Sequence, residues 1–297
     1  MATEASLLTQ IQKKDSPANA QRLFALGQFA TRTLLIATFA LFVYGLAWNI
    51  STRRYLKGFT DAILPLEGSE QEKTEALLRW FREEPQRLRT PVTDSAYNRD
   101  PVIIVKNRRL LKICGSATNA FINLGKAAGL KTRRLLLVDK FGNSMHVVAE
   151  VRWDDRWVAV NPQQGRVFKD HLGRALSKEE LRDPAVFHEA ISLMPGYNPK
   201  YTFERTIHIR LSRIPFGLLL RIILDRYFPG WEEAADWGYI PENPSLWPIL
   251  VSIPLFYLGI LVHLSLRRYG RNKLGIEAPG LRQRLKQAGR AFLLRSA

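Results

Sequence analysis

The sequence predicts an α+β domain flanked by two transmembrane helices. Two apolar runs without a formal charge, residues 33–52 and 246–266, are each long enough to cross a bilayer core as a helix. Between them the apolar period changes from helical to alternating, the pattern of a helix followed by antiparallel strands. The chain has 297 residues, 46% of them hydrophobic, which allows one good-sized domain besides the anchors.

The first run reads TLLIATFALFVYGLAWNIST, with Arg32 before it and Arg53 and Arg54 after it. The polar segment ahead of it is long for a signal peptide, and the run exceeds the usual apolar stretch of roughly 7–15 residues. An uncleaved anchor is expected. The second run lies in NPSLWPILVSIPLFYLGILVHLSL, with Pro248 near its start and Pro254 placed to kink it. A buried core helix is the competing reading. Length and missing charge favour the membrane.

Orientation follows from the flanks. Nine basic residues (Arg267, Arg268, Arg271, Lys273, Arg282, Arg284, Lys286, Arg290 and Arg295) follow the second run, against Glu277 alone. Glu232, Glu233, Asp236 and Glu242 precede it. That asymmetry predicts a cytoplasmic C-terminus. Arg53, Arg54 and Lys57 pull the first run the other way, but the tail is the stronger signal. With two spans both termini are then cytoplasmic, the domain is extracytoplasmic, and Trp48 and Trp247 sit at the outer interface. The organisation is a cytoplasmic segment (1–32), a span (33–52), a domain (53–210), an amphipathic segment (211–245), a span (246–266) and a basic cytoplasmic tail (267–297). The formal charge of +17 fits either nucleic acid or an anionic membrane. Its concentration beside a span points to lipid headgroups, and no nucleic-acid-binding motif is present.

Within the domain, Ser69-Glu70-Gln71-Glu72 reads as a capping box opening a helix through about Glu84. Residues 90–106, rich in Pro, Asp, Asn and Thr, read mostly as loop. Residues 114–129 read as a helix with Ala117, Phe121, Leu124 and Ala128 on one face. Strands follow over 134–138, 146–153 and 157–160, with turns at Phe141-Gly142-Asn143 and Asp154-Asp155. Residues 211–228 are apolar around most of a helix, with Arg221 and Asp225 spaced to pair. This segment suits the membrane interface or the domain core equally.

Cys114 is the only cysteine, so no intramolecular disulfide forms. It stands where a helix begins, and a thiolate there gains from the positive end of the helix dipole. His146 is the candidate base. If Asp154-Asp155 form a two-residue turn, Trp153 faces Arg156 and His146 faces Gln163. Asn161 then lies on the sheet face of His146, one diagonal step away, in reach to orient the imidazole. Each residue has a plainer reading: a lone Cys is usually a small buried hydrophobe, and a His ahead of a strand is usually polar surface. Trp153 and Trp157 read as packing residues and Glu150 as an ion-pair partner. His171, His188, His208 and His263 show no metal-ligand spacing, and no metal or organic cofactor is expected.

From Cys114 to Pro162 the chain resembles the transglutaminase-like, papain-related cysteine superfamily, in its membrane-anchored bacterial-type form. Gly129-Leu130-Lys131-Thr132-Arg133 matches the family's Gly-Ile-Pro-Ala-Arg-like turn. HVVAEVRWDDRWVAVNP is similar to its His-Ala-Trp-x-Glu-Val…Trp…Asp-Pro pattern, with His146, Glu150, Val151, Trp157 and Pro162 in register. The resemblance covers about the middle third of the chain. It implies a nucleophile helix packed on an antiparallel sheet and a Cys114–His146–Asn161 triad. The implied activity is thiol-dependent acyl transfer on a peptide or protein amide, by hydrolysis or transamidation. Two positions depart from the pattern. Asn161 stands where the family usually has aspartate, though papain-like enzymes use asparagine there. Ile113 precedes the cysteine where glycine is usual. The backbone N–H of Cys114 is the default oxyanion donor. The alternative is an inactive module of the same fold that binds a peptide or polysaccharide partner. The implied setting is a bacterial inner membrane.

Overall fold

The computed structural model describes residues 17–83, 99–209, 217–231 and 242–276. Among them, in chain order, are α1 (Pro17–Ile63), α2 (Glu70–Glu83), α3 (Pro101–Lys106), α4 (Cys114–Ala127), β1 (Thr132–Val138), β2 (Ser144–Trp153) and β3 (Arg156–Asn161). After these come β4 (Arg166–Val167), α5 (Pro184–Ser192), β5 (Thr206–Ile207), α6 (Gly217–Tyr227) and α7 (Leu246–Leu274). The class is α+β. The described chain forms two compact units, one reaching to Leu46 and resuming at Pro248, the other spanning Ala47–Trp247.

In the first unit, α1 and α7 are both long and apolar enough to cross a membrane. They run antiparallel, with glycines at the points of closest approach. A Cβ on Gly45 would lie 2.8 Å from Pro248 Cβ, one on Gly259 2.9 Å from Leu35, and the Phe24 ring fills the space beside Gly270. Small residues of this kind let two apolar helices meet closely, which is what holds helices together where lipid removes the hydrophobic drive. Helix α7 continues through Pro254.

Helix α1 outlasts its charge-free run because its last turns serve the second unit. Leu56, Phe59 and Ile63 form a helical stripe that joins the domain core. Helix α2 opens with the expected capping box: Ser69 N–H donates to Glu72 Oε2 at 2.8 Å, and Glu72 N–H to Ser69 Oγ at 3.2 Å. The loop expected over 90–106 is corrected from Pro101 onward; residues 90–98 lie outside the described residues. Asp100 accepts the Val102 N–H at 2.9 Å with Pro101 in the first turn, so the Asp-Pro pair starts α3.

The five-stranded sheet has the order β4-β3-β2-β1-β5, and all its pairings are antiparallel. Asp154 and Asp155 have φ of 43° and 66°, the left-handed pair of a tight hairpin turn. Trp153 consequently pairs with Arg156, and Ala149 with Val160. Successive side chains alternate between faces. Ala149, Val151 and Trp153 pack on Ala117, Phe121 and Leu124 of α4 and on Leu77 and Phe81 of α2. Val148, with Leu135, Leu137 and Ala159, packs on Phe187 and Ala190 of α5 and on Phe168 and Phe203. Burial of each large apolar side chain here contributes roughly 1.5–3 kcal/mol.

Helix α6 carries the Arg221–Asp225 pair at 3.5 Å, and its apolar residues stay outside: Leu218 is 74% exposed and Ile222 59%. Of the two readings for this segment, packing on the core is not what its described residues do. Residues 211–216 and the basic tail beyond Ile276 lie outside the described residues.

Candidate active site

Helix α4 begins at Cys114, after Ile113, an N-cap residue without a side-chain cap bond. First-turn N–H groups lack intrahelical acceptors, and the Cys114 N–H has no backbone acceptor among the described residues. The thiol is half-buried and packs with Leu136, Val138 and Val147. One turn on, Thr118 Oγ1 donates to the Val147 carbonyl at 3.2 Å. The ladder explains why that carbonyl is open: β3 stops at Asn161, one step past the Ala149–Val160 pair, so nothing is paired to β2 on that side at Val147. The start of α4 therefore lies along the open edge of β2, beside the residue that follows His146.

His146 sits at a β-bulge. Leu137 pairs with His146, and the next pair is Val138 with Ser144, leaving Met145 unpaired. The His146 side chain occupies the face of Val148, opposite that of Val147. It is 4% exposed. Its ring stacks on Tyr201 at 4.6 Å and 8°, and meets Tyr197 edge-on at 6.0 Å and 87°. Burial lowers its pKa to about 4, while the Asn161 side chain works in the opposite direction. The ring is thus neutral at ordinary pH.

Asn161 is buried on the same face, as the hairpin register requires. Its Nδ2 donates to Gln164 Oε1 at 3.3 Å, which leaves Oδ1 for His146. Oδ1 of Asn161 and Nε2 of His146 are both buried, and among the described residues neither reaches a partner in full hydrogen-bond geometry. One is an acceptor and the other carries a proton in one tautomer, so the two orphans complement each other. In that tautomer Nδ1 holds the free lone pair. No hydrogen bond joins Cys114 to His146 among the described residues. His146 and Asn161 are brought together directly. Cys114 packs against Val147 of the same strand, from the other face.

Below this pair lies a buried ionic cluster. Glu150 Oε2 accepts from Arg133 Nε at 2.8 Å and lies 2.7 Å from His208 Nε2. Burial pushes the Glu150 carboxyl up, but His208 and Arg133 outweigh it and hold the group below its usual range. The Arg133 guanidinium lies 4.0 Å over the Trp157 ring. Trp153 donates Nε1–H to Thr74 Oγ1 at 3.1 Å and is otherwise core. Sequence reasoning found Glu150 and missed His208, Gln164, Tyr197 and Tyr201. All four reach the site through turns or loops without periodicity, so no spacing pointed to them. Among the described residues no group of three or more His, Cys, Asp or Glu side chains is arranged to hold a metal ion. Comparison with family models, characterised proteins and solved structures returns no match for this chain.

Proposed function

We propose that the chain is a membrane-anchored, transglutaminase-like thiol enzyme that transfers an acyl group from an amide. Cys114 is the nucleophile, His146 the base and Asn161 its orienting partner. The observation that carries this is the complementary pair of buried orphans, His146 Nε2 and Asn161 Oδ1, at the strand edge where the Cys114 helix starts. His146 takes the thiol proton at Nδ1 as sulfur adds to the amide carbonyl. The C–N bond then breaks, and the same proton leaves with the amine. Water or a second amine resolves the thioester, giving acid or a new amide. Burial favours this cycle in one respect: a ring neutral at ordinary pH is ready to accept a proton. We put both termini in the cytoplasm and the domain outside on the charge bias alone; the antiparallel pairing of α1 and α7 supports only that their outer ends share one side.

The second reading is an inactive module that binds a peptide or polysaccharide. It is favoured by the missing hydrogen bond between Cys114 and His146, although such bonds often tighten only with substrate present. Alkylation separates the two. Iodoacetamide should label Cys114 in the native full-length protein near neutral pH, and His146→Ala should slow the labelling markedly. A thiol inert until the protein unfolds, and indifferent to His146→Ala, leaves the inactive module as the better account.

A further inference from the structure

We propose that the second unit binds the phosphate of an anionic lipid headgroup in a cavity of about 340 Å³, lined by residues at the end of α1, on α4 and ahead of α7. Arg53, Lys57 and Lys126 line it together with Thr52, Asn123 and Asn243, and among the described residues the lining includes no carboxylate. Lys57 is partly neutralised by Asp61 at 2.5 Å, which stands outside the lining. Arg53 has no ion-pair partner among the described residues. Guanidinium and ammonium groups lining one hollow are the donors a phosphate diester needs.

The location selects the lipid. Thr52 ends the charge-free run of α1, Arg53 is the first charge after it, and Lys57 stands one turn on, about 6 Å further along the axis. Asn243 lies just ahead of α7. The two ends are tied, with Asn49 Nδ2 donating to Ser245 Oγ at 2.9 Å. The cavity therefore lies where both apolar runs stop, which is headgroup depth for a chain that spans. Asn123 adds an acceptor. It is 2% exposed, its Nδ2 donates to the Asn119 and Glu242 carbonyls at 3.0 and 3.1 Å, and its Oδ1 has no partner among the described residues. A headgroup hydroxyl supplies that missing donor. Binding also accounts for Arg53 and Lys57, which run against the charge bias expected on the outer side of the first span. Because Asn123 belongs to α4, the lipid touches the helix that starts at Cys114.

This proposal rests on the membrane reading above but not on turnover at Cys114. Full-length protein, delipidated in detergent, is titrated with phosphatidylglycerol, phosphatidylcholine or inorganic phosphate while thermal unfolding is followed. Phosphatidylglycerol should stabilise the wild type. The Arg53→Gln/Lys126→Gln variant should bind it about tenfold or more weakly, the scale of a lost charge-assisted hydrogen bond. Equal binding by wild type and variant overturns the site. An equal effect of inorganic phosphate overturns the lipid assignment in favour of a soluble anion. Should the variant fail to fold, a photoactivatable phosphatidylglycerol on the unaltered protein reads the same question. Labels on peptides holding Arg53 or Lys126 support the site, and labels only elsewhere overturn it. Carbonate extraction reads the membrane separately. A chain released by carbonate sinks the membrane reading and the lipid together, whereas a retained chain without the lipid effect sinks the cavity alone.

Discussion

Replacing Asn161 with aspartate asks whether His146 is tuned by the group beside it. In the native chain burial holds the imidazole at about 4, against an ordinary value of 6.5. At about 1.4 kcal/mol per pKa unit, charging the ring costs about 3 kcal/mol more in the folded protein than in the unfolded chain. Because the folded value lies below the unfolded one, that stability is intact above about 6.5 and is lost as pH falls toward about 4. A carboxylate at 161 favours the charged ring and should raise its pKa by about 1–3, offsetting roughly 1.4–4 kcal/mol of the cost. Aspartate also loses the donor that Asn161 presents to Gln164, so stability at neutral pH should drop by about 1 kcal/mol. Unfolding of the full-length protein between pH 7.5 and 4 checks this in wild type, Asn161→Asp and His146→Gln. The wild type should lose about 3 kcal/mol more than His146→Gln over that range, and Asn161→Asp should lose less than the wild type. The acid limb of Cys114 labelling should move to higher pH in Asn161→Asp, and Asn161→Ala should lose far more reactivity because the ring is no longer held. Superimposable curves for wild type and His146→Gln would refute a buried neutral base. Equal reactivity of wild type and Asn161→Ala would remove Asn161 from the mechanism.

Two further outcomes are expected. Phosphatase and green-fluorescent reporters fused at Gly196 and Ala297 should report an outer Gly196 and a cytoplasmic Ala297, and fluorescence at Gly196 with phosphatase activity at Ala297 inverts the topology. Glu150→Gln should destabilise the domain by about 3–5 kcal/mol, because Arg133 and His208 lose a buried partner; a denaturation midpoint unchanged from wild type would show that the cluster is dispensable.

The parts of the site legible in the sequence are those that local rules determine. A two-residue turn at Asp154-Asp155 allows one register, and that register carries Asn161 to the face of His146. Arg133 faces Glu150 only because the bulge at Met145 shifts the β1–β2 register by one, which no turn signal announces. The aromatic wall of the imidazole is of another kind. Tyr197 and Tyr201 arrive on a long excursion after β4, and nothing local says where such a chain returns. The route from Cys114 to His146 is subtler still. Helix α4 packs on the odd-numbered face of β2, and the pleat directs His146 to the even-numbered one. With a longer β3 the ladder would take up the Val147 carbonyl. Pro162 prevents that: it follows Asn161 and has no N–H to offer the ladder, so β3 ends there and the edge of β2 lies open at Val147. A proline that reads in sequence as the end of a strand is, in three dimensions, what leaves the Val147 carbonyl free for Thr118 of the helix, one residue from His146.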